Sequence, residues 1–448
     1  MNRDHLRDLS AALAAALLVT TAAVIGAVLQ SRYGNLHVNW PPLYARWDPH
    51  LGPGTPAAVA LALAVVGYGP SLAGRLSWRV LLGAAWGAAM AWTFSLALVD
   101  GWHRGIARRL TTRYEYLQVI DPVDRFHDIP AALRDFTHHI LMHAPDAWPA
   151  HVAGHPPGAT LTFVLLDRAG LGGGAWAGVW CITVGTTAVM AVLVTVRALC
   201  GEALARRAVP FLVLAPAAVW LGTSADAYFA AVAAWAVAFL ALAVTGRRPR
   251  ATGFASGVLF GLTVYLSYGL TLFAVVAAGV VLLGSGRLRP LAPLLAGCAV
   301  VPVVFTVAGF DWWEAYRLLV TRYYQGAGGI RPYGYWVWAN LACTALVVGP
   351  ATVAGLRRAG AAPVRRGLRG CLRHPTPEPR LALLVLAALL ALLAADLSGM
   401  SKAETERIWL PFAIWLLPAC ALLPRPRAWL AAQAALALLL NHLLLTGW

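Results

Sequence analysis

The chain has 448 residues, of which 60% are hydrophobic and only 12% are charged, and its mean hydropathy is +0.67. A soluble domain of this size would need a far more polar surface, so the composition excludes one and predicts a polytopic membrane protein. The formal net charge of +16 is carried mainly by loops on one side of the predicted bundle. This charge therefore indicates membrane topology, and no nucleic-acid partner is expected.

We predict an all-α protein with about thirteen transmembrane helices, forming a single transmembrane domain over residues 1–448. The first apolar segment follows Arg3 and Arg7 and has no small-residue cleavage site near Ser31, so we expect a retained anchor. The apolar segments are long enough, or nearly so, to cross a hydrocarbon core of roughly 30 Å as helices. They lie near residues 10–30, 55–72, 79–100, 173–197, 208–223, 226–245, 251–267, 269–284, 290–309, 335–356, 381–397, 408–423 and 427–446.

The loops between these segments predict the orientation of the chain. With the N-terminus in the cytoplasm, alternate threading places 21 of the 35 basic residues and 4 of the 19 acids on the inner side. The outer side receives 14 basic residues and 15 acids, as the positive-inside rule requires. Residues 357–380 form a basic cytoplasmic loop in this threading. We therefore predict a multi-pass protein of the plasma membrane.

The largest outer segment, residues 101–173, concentrates the acids of the chain and is also rich in histidine. Seven of the nineteen acids lie between Asp100 and Asp146. Because the rest of the chain is hydrophobic helix, this loop is predicted to contain an extracytoplasmic active site. Glu115 is the preferred catalytic carboxylate because it stands between two tyrosines just after a basic run. The full set of candidates is Glu115, Asp121, Asp124 and Asp100.

The second half of this loop predicts two short helices. Apolar residues recur at helical spacing from about Pro130 to Met142, as in a helix lying in the membrane interface, and Asp128 is interpreted as its N-cap. The turn His155-Pro156-Pro157-Gly158 opens a second helix over 159–169, which is too short to span the membrane. The sequence also offers an i, i+4 histidine pair that could bind a metal, although a solvated helix face is the preferred interpretation. The histidines concerned are His138, His139 and His143.

Two further outer stretches carry cations and aromatic rings. The loop 311–335 mixes Trp and Tyr with arginines, among them Arg331. It is interpreted either as an interfacial aromatic belt or as a platform for stacking sugars and pairing with phosphate. The segment Lys402–Arg407 follows the predicted span 381–397 at its outer end. Arg407 is expected either to bind a lipid phosphate or to pair with Glu404 one turn back.

The order of these parts resembles the C-type (GT-C) glycosyltransferase superfold, which includes membrane mannosyl-, arabinosyl- and aminoarabinose transferases. Its members share an early span, a large outer loop with a catalytic Asp or Glu, an H/K-P-P turn that opens a juxtamembrane helix, and further spans. The matching parts here are residues 79–100, Glu115 to Asp128, and His155-Pro156-Pro157. The turn Ser224-Ala225-Asp226 and the segment Glu404–Trp409 also look like stretches of actinobacterial members.

The resemblance covers roughly residues 80–425 and implies an enzyme. Such an enzyme moves a hexosyl or pentosyl group from a polyprenyl-phosphate donor to a glycan or protein acceptor of the cell envelope, on the outer face of the membrane. It needs one carboxylate to accept the acceptor's proton and cations to hold the departing phosphate. The family's adjacent Asp-Glu pair has no counterpart here. The residues expected to bind substrate are His155, Asp226, Arg331, Lys402, Glu404 and Arg407.

Two other functions are considered, together with the question of cofactors. No charge has to lie at mid-membrane in this threading, and no paired interrupted spans are found, which disfavours a transporter or flippase of lipid-linked sugars. A polymerase or ligase acting on lipid-linked substrates is the third hypothesis. No phosphate-binding GxxxxGK[ST] sequence occurs. No cofactor is required by the sequence, and the assistance of a divalent metal is left open.

Overall fold

The computed structural model describes residues 3–120, 123–286, 289–366 and 376–447, and within these ranges the protein is almost entirely helical. Seven helices there are long and apolar enough to cross a membrane, or eight spans if one bent pair is counted as a single span. The chain is thus an all-α polytopic membrane protein, whereas the predicted count of about thirteen spans is not confirmed. The seven are Arg3–Tyr33, Thr55–Arg75, Trp78–Asp100, Gly173–Cys200, Ala225–Val244, Tyr333–Ala361 and Pro377–Leu397.

The bent pair and the remaining elements are shorter. Leu291–Val307 and Trp312–Gln325 meet at 79°. One two-stranded antiparallel sheet pairs Ala45–Trp47 with Leu444–Thr446. The other α-helices are Ile129–Asp135, Ala150–Gly154, Pro157–Arg168, Glu202–Val213, Ala218–Leu221, Pro249–Leu266, Phe273–Leu283, Ala327–Ile330, Thr405–Ile408, Leu410–Ala413 and Pro426–Leu443. The wider π-helix covers His103–Ala107, and tighter 3₁₀ turns cover Arg109–Thr111, Tyr116–Val119, Phe136–His139, Tyr268–Leu272 and Leu417–Leu422.

Prolines account for two of the predicted spans that do not form one continuous helix. The segment 208–223 is divided between Glu202–Val213 and Ala218–Leu221, with Pro216 in the interruption. The segment 408–423 breaks into short helices in which Pro411 and Pro418 occupy first-turn positions. Proline lacks an N–H and clashes with the preceding turn, so an apolar run of sufficient length still breaks at these residues. Hydropathy alone does not register this effect.

The centre of the bundle is the alanine-rich helix Ala225–Val244, which is buried along almost its whole length. It packs against Ala188–Cys200 on one side and Pro249–Leu266 on the other. The helix Pro249–Leu266 in turn meets Leu291–Val307 at Gly257, where an added Cβ would lie 2.1 Å from the Leu294 carbonyl oxygen. Small residues at such crossings let helix backbones touch, which is the usual basis of packing within a membrane.

The segments that the sequence places outside the membrane come together at one end of the bundle, which we call the site end. The Arg331 guanidinium donates to the Leu36 carbonyl (3.0 Å), and Arg322 donates to the Trp148 carbonyl (2.9 Å). The segments predicted to be cytoplasmic meet at the opposite end. There Arg206 donates to the Ala73 carbonyl (2.7 Å), and Arg357 lies 2.6 Å from Asp8. These contacts agree with the predicted threading, and the orientation of the bundle in the membrane remains a prediction.

The orientation can be tested with reporter fusions. A reporter fused after Arg250 should be active in the cytoplasm, because the positive-inside rule places that basic loop there. A reporter inserted in 143–147 should be active only outside. Each fusion point would be tested with alkaline phosphatase and with a fluorescent protein, which function on opposite sides of the membrane. The reporter that is active then gives the side on which that point lies. A cytoplasmic signal from 143–147 would place the site end on the wrong side and overturn the predicted topology.

The predicted interfacial helix at 130–142 is corrected by the structure. The α-helix covers only Ile129–Asp135, and Asp128 caps it as predicted by accepting from the Ala131 N–H (3.0 Å). It then tightens into the turn Phe136–His139, because the Trp148 indole N–H donates to the Phe136 carbonyl (2.9 Å) and competes with the helical ladder. Three apolar residues of this segment are buried against the protein, namely Leu133, Phe136 and Ile140, whereas Met142 is exposed.

Candidate active site

Arg407 is the centre of a cluster of buried charged groups at the site end. Its guanidinium lies 2.5 Å from the Asp226 carboxylate and 3.4 Å from the Glu404 carboxylate. Asp226 sits in the first turn of Ala225–Val244, where the partial positive charge of a helix N-terminus favours an anion. Ser224, and not Asp226, is the N-cap of that helix. Burial lowers the pKa of Arg407, but the surrounding carboxylates, Asp226 foremost, raise it overall, so the group stays charged.

A carboxylate–histidine pair lies directly beside Arg407. The Nδ1 atom of His151 lies 2.8 Å from the Glu115 carboxylate, and its Nε2 atom lies 3.4 Å from the Arg407 guanidinium. A guanidinium can only donate hydrogen bonds, so Nε2 must be the unprotonated nitrogen. Nδ1 therefore carries the ring proton and faces the Glu115 carboxylate at ion-pair distance, although Glu115 Oε2 makes no hydrogen bond of regular geometry. The pair has the arrangement in which a carboxylate fixes the tautomer and orientation of a histidine.

The loop geometry explains how these two residues meet. Glu115 precedes the turn Tyr116–Val119, and His151 lies in the short helix Ala150–Gly154. The His151 backbone N–H donates to the Tyr114 carbonyl (2.9 Å), which fixes the two segments beside each other. Both side chains therefore reach the site from parts of the long outer loop that are far apart in sequence.

His155 holds the backbone of the segment that contains His151. Its Nδ1 atom lies 2.8 Å from the His151 carbonyl oxygen, which can only accept, so Nδ1 carries the proton. The Tyr116 hydroxyl lies 3.0 Å from the same nitrogen and shares this proton as an acceptor. Burial lowers the pKa of His155 to about 4, so the ring is neutral at physiological pH. His155 thus holds the backbone that carries His151.

Glu404 connects Arg407 to a second cation. Its carboxylate lies 3.4 Å from Arg331, whose guanidinium also donates to the Lys402 carbonyl (2.8 Å). Ala403 and Glu404 both have left-handed backbones, with φ of 69° and 62°. Each such non-glycine residue costs about 1–3 kcal/mol and persists only where its surroundings impose it, as at functional sites. The Lys402 ammonium donates to the Gly328 carbonyl (2.8 Å), and burial lowers its pKa.

Glu406 links the loop that contains Tyr44 to this cluster. Its carboxylate accepts from the Tyr44 backbone N–H (2.8 Å) and from the Cys343 thiol (3.3 Å). The side chain is fully buried, and burial raises its pKa. Glu406 therefore joins the N-terminal loop and the helix Tyr333–Arg366 to the segment that carries Arg407.

The structure brings most of the residues predicted from the sequence into one place, but not all of the candidate acids. Asp100 is instead held by His50 (2.9 Å), Arg104 (2.8 Å) and Arg109 (2.6 Å). Asp124 accepts from the Phe126 N–H and is half-exposed. Within the described residues neither has a contact with the Arg407 cluster, and Asp121 lies outside those residues. The predicted residues that the cluster contains are Glu115, His155, Asp226, Arg331, Lys402, Glu404 and Arg407.

His151 is the residue that the sequence analysis missed. It lies four residues before His155, a spacing that places both rings on one side of a helical turn. This His-x₃-His pattern before the double proline was the available signal. Tyr44 and Glu406 were also missed, because nothing in their local sequence indicates a contact across 362 residues.

The histidines proposed as a metal pair have other partners. His138 and His139 lie 2.7 Å and 2.8 Å from the Asp135 carboxylate, which lowers the pKa of Asp135, with the His139 hydrogen bond the larger cause. In the described part of the chain no group of three or more His, Cys, Asp or Glu side chains is suited to hold a metal ion. His143 takes no part in this ion pairing.

The aromatic loop 311–335 has a defined structure. Asp311 caps the helix Trp312–Gln325 by accepting from the N–H groups of Trp313 (2.8 Å) and Glu314 (2.9 Å). Trp313 and Tyr324 are exposed on this helix, while Arg331 turns into the cluster. Both interpretations of the loop, as an interfacial belt and as a sugar platform, fit this geometry.

Comparison with known proteins adds weak similarities. No protein-family model and no curated protein matches the chain. Among solved structures, the oligosaccharyltransferase AglB from Archaeoglobus fulgidus, in complex with an inhibitory peptide and a dolichol-phosphate, aligns over 77% of this chain with 13% identity and a TM-score of 0.43. An Archaeoglobus fulgidus oligosaccharyltransferase tethered with an acceptor peptide aligns over 93% of this chain with 12% identity and a TM-score of 0.36. The chain spans about half the length of these structures, 50% and 49%. Values this low assign neither a family nor an activity.

Proposed function

We propose that this protein is a membrane glycosyltransferase that uses a polyprenyl-phosphate sugar as donor and acts at the site end of the bundle. One observation carries the proposal: a buried guanidinium and a carboxylate–histidine pair lie in contact, with His151 Nε2 3.4 Å from Arg407. Transfer of a sugar from a lipid phosphate to a hydroxyl needs both groups at one point. The cation holds the phosphate oxygen whose charge grows, and the base removes the hydroxyl proton.

The other residues of the cluster are assigned supporting roles. Arg331 and Lys402 extend the positive surface from Arg407 toward the predicted membrane interface, where a lipid phosphate would lie. Glu404 lies between the two arginines and is partly exposed, so it is the carboxylate best placed to bind sugar hydroxyls. Asp226 and His155 hold Arg407 and the His151 segment in place.

The finer assignment follows the sequence resemblance. We assign the protein to a GT-C-like group similar to actinobacterial mannosyl- and arabinosyltransferases, acting on a glycan or protein acceptor of the cell envelope. The residues 101–173 would then form the outer loop of the enzyme. A transporter is disfavoured because the charge cluster lies at one end of the bundle, whereas transporter sites lie near the bilayer midplane.

The assay is direct. Membranes or vesicles containing the protein, given radiolabelled polyprenyl-phosphate hexose or pentose and a crude cell-envelope acceptor fraction, should consume one donor and release polyprenyl phosphate. Parallel reactions with EDTA and with added Mg²⁺ or Mn²⁺ would establish whether a divalent metal assists. Movement of intact lipid-linked sugar across sealed vesicles, with no release of polyprenyl phosphate, would instead identify a flippase.

A further inference from the structure

The groups in the cluster differ in access to a substrate. The Glu115 side chain is 7% exposed and that of Asp226 is 4% exposed. His151 and Glu404 are more open, with side-chain exposures of 14% and 23%. A general base must come within about 2.6–3.2 Å of the proton that it removes. The Glu115 carboxylate is the more buried partner of the pair, and His151 lies in contact with it at 2.8 Å.

The two ring nitrogens of His151 have different neighbours. Its Nδ1 faces the Glu115 carboxylate at 2.8 Å, and its Nε2 lies next to Arg407. The 3.4 Å contact between Arg407 and Nε2 is long for a hydrogen bond, since N–H donors usually lie near 2.9–3.0 Å. The main partner of Arg407 is Asp226, at 2.5 Å. An acceptor hydroxyl can therefore take the place of this weak contact at Nε2.

We propose that His151 is the catalytic base of the transfer and that Glu115 acts behind it as the positioning residue. This inference rests on the proposed glycosyltransferase function. The acceptor hydroxyl oxygen forms the new bond to the anomeric carbon, and the bond from that carbon to the phosphate oxygen breaks. Its electron pair leaves with the lipid phosphate, beside Arg407. The hydroxyl proton passes to His151 Nε2, and the Glu115 carboxylate stabilises the resulting imidazolium across the Nδ1–H bond.

The surroundings of His151 support this division of roles. Among the described residues, the charged and titratable groups recorded close to it include Arg407, Glu115, the Tyr116 ring at 6.0 Å and the His155 ring at 6.4 Å. His155 is neutral, and burial raises the pKa of Tyr116 well above its usual range, so neither competes for the proton near neutral pH. Glu404 is more exposed than the carboxylates of Glu115 and Asp226, and it is the alternative base.

Three substitutions separate the hypotheses. His151→Asn keeps a side-chain N–H near the Nδ1 position, beside Glu115, but has no counterpart of Nε2. It should lower turnover by roughly 10²–10⁴, the usual contribution of a positioned acid–base group, while the protein folds and binds donor normally. His151→Ala should lose a similar amount, and added imidazole should restore part of the turnover by entering the vacated space. Glu404→Gln should keep more turnover than either variant.

The outcomes are distinct. If wild-type protein consumes no lipid-phosphate sugar, the proposed function fails and the variants are not informative about the base. If wild-type protein is active and His151→Asn retains its turnover, His151 has only a structural role and the inference is overturned. The inference is also overturned if imidazole gives no rescue and Glu404→Gln alone abolishes transfer. Donor binding, measured with labelled polyprenyl phosphate on detergent-purified protein, checks that each variant has kept the site.

Discussion

Glu115→Gln should lower the turnover of sugar transfer by roughly 10²–10⁴ while leaving expression and donor binding unchanged. The substitution keeps the shape of the side chain but removes the negative charge that lies 2.8 Å from His151 Nδ1. In Ser-His-Asp enzymes the equivalent change of Asp to Asn lowers kcat about 10⁴-fold, because the histidine takes the wrong tautomer. The measurement is single-turnover transfer with saturating labelled donor, alongside equilibrium binding of polyprenyl phosphate.

Three matched controls come from the other acids considered as bases. Asp124→Asn should retain turnover, since Asp124 is half-exposed and bonds only within its own loop in the described structure. Asp100→Asn tests the acid that is held by two arginines and a histidine. Asp121→Asn is the third control, because the sequence also names this acid. Full turnover in Glu115→Gln, together with full turnover in all three controls, would show that Glu115 has no role in the transfer.

Arg407→Ala should destabilise the folded protein by about 3–5 kcal/mol, as well as abolish donor use. Removal of one partner of a buried ion pair leaves the other charge uncompensated, and Asp226 is only 4% exposed. If Arg407 were exposed, its removal would weaken only donor binding, by about 2–3 kcal/mol, which is the range for a charge-assisted hydrogen bond. The loss should appear as a large fall in the thermal unfolding midpoint of the detergent-purified protein.

A double variant separates two causes of lost folding stability, the unpaired Asp226 carboxylate and the missing packing of the Arg407 side chain. Arg407→Ala with Asp226→Ala removes both charges, so it should be more stable than Arg407→Ala alone although it carries one more truncation. Arg425→Ala is a suitable control, because Arg425 lies in an exposed turn at the opposite end and should barely change the midpoint. Equal stability of Arg407→Ala and wild type would mean that the Arg407–Asp226 pair does not form in the membrane.

The sequence was sufficient to predict where the charged residues would gather, and the reason is physical. Charges are costly in an apolar bundle unless they pair or reach water, so the few acids and cations outside the basic loops were expected at one end. Glu115, Asp226, Arg331, Glu404 and Arg407 do meet there. Their partners could not be predicted, because pairing across more than a hundred residues depends on helix packing and not on local pattern.

The errors also have specific causes. Span counting by hydropathy treated every apolar run alike, although Pro216, Pro411 and Pro418 interrupt two of them. The interfacial helix was predicted from a correct periodicity, but Trp148 takes the Phe136 carbonyl out of the helical ladder. His151 was not predicted because a histidine in a long loop has no local signal of its partners, whereas the structure brings it into contact with both Glu115 and Arg407.

The buried ion pair also has a consequence for biosynthesis. Asp226 and Arg407 are separated by 181 residues, so the ribosome incorporates Asp226 long before it incorporates Arg407. At roughly 5–20 residues per second, the nascent chain waits about 10–35 s with Asp226 unpartnered by Arg407. During this interval the half-made bundle carries a carboxylate that the finished protein shields. A chain that lacks Arg407 never leaves this state, so its defect should first appear as degradation during assembly, before any enzymatic step is reached.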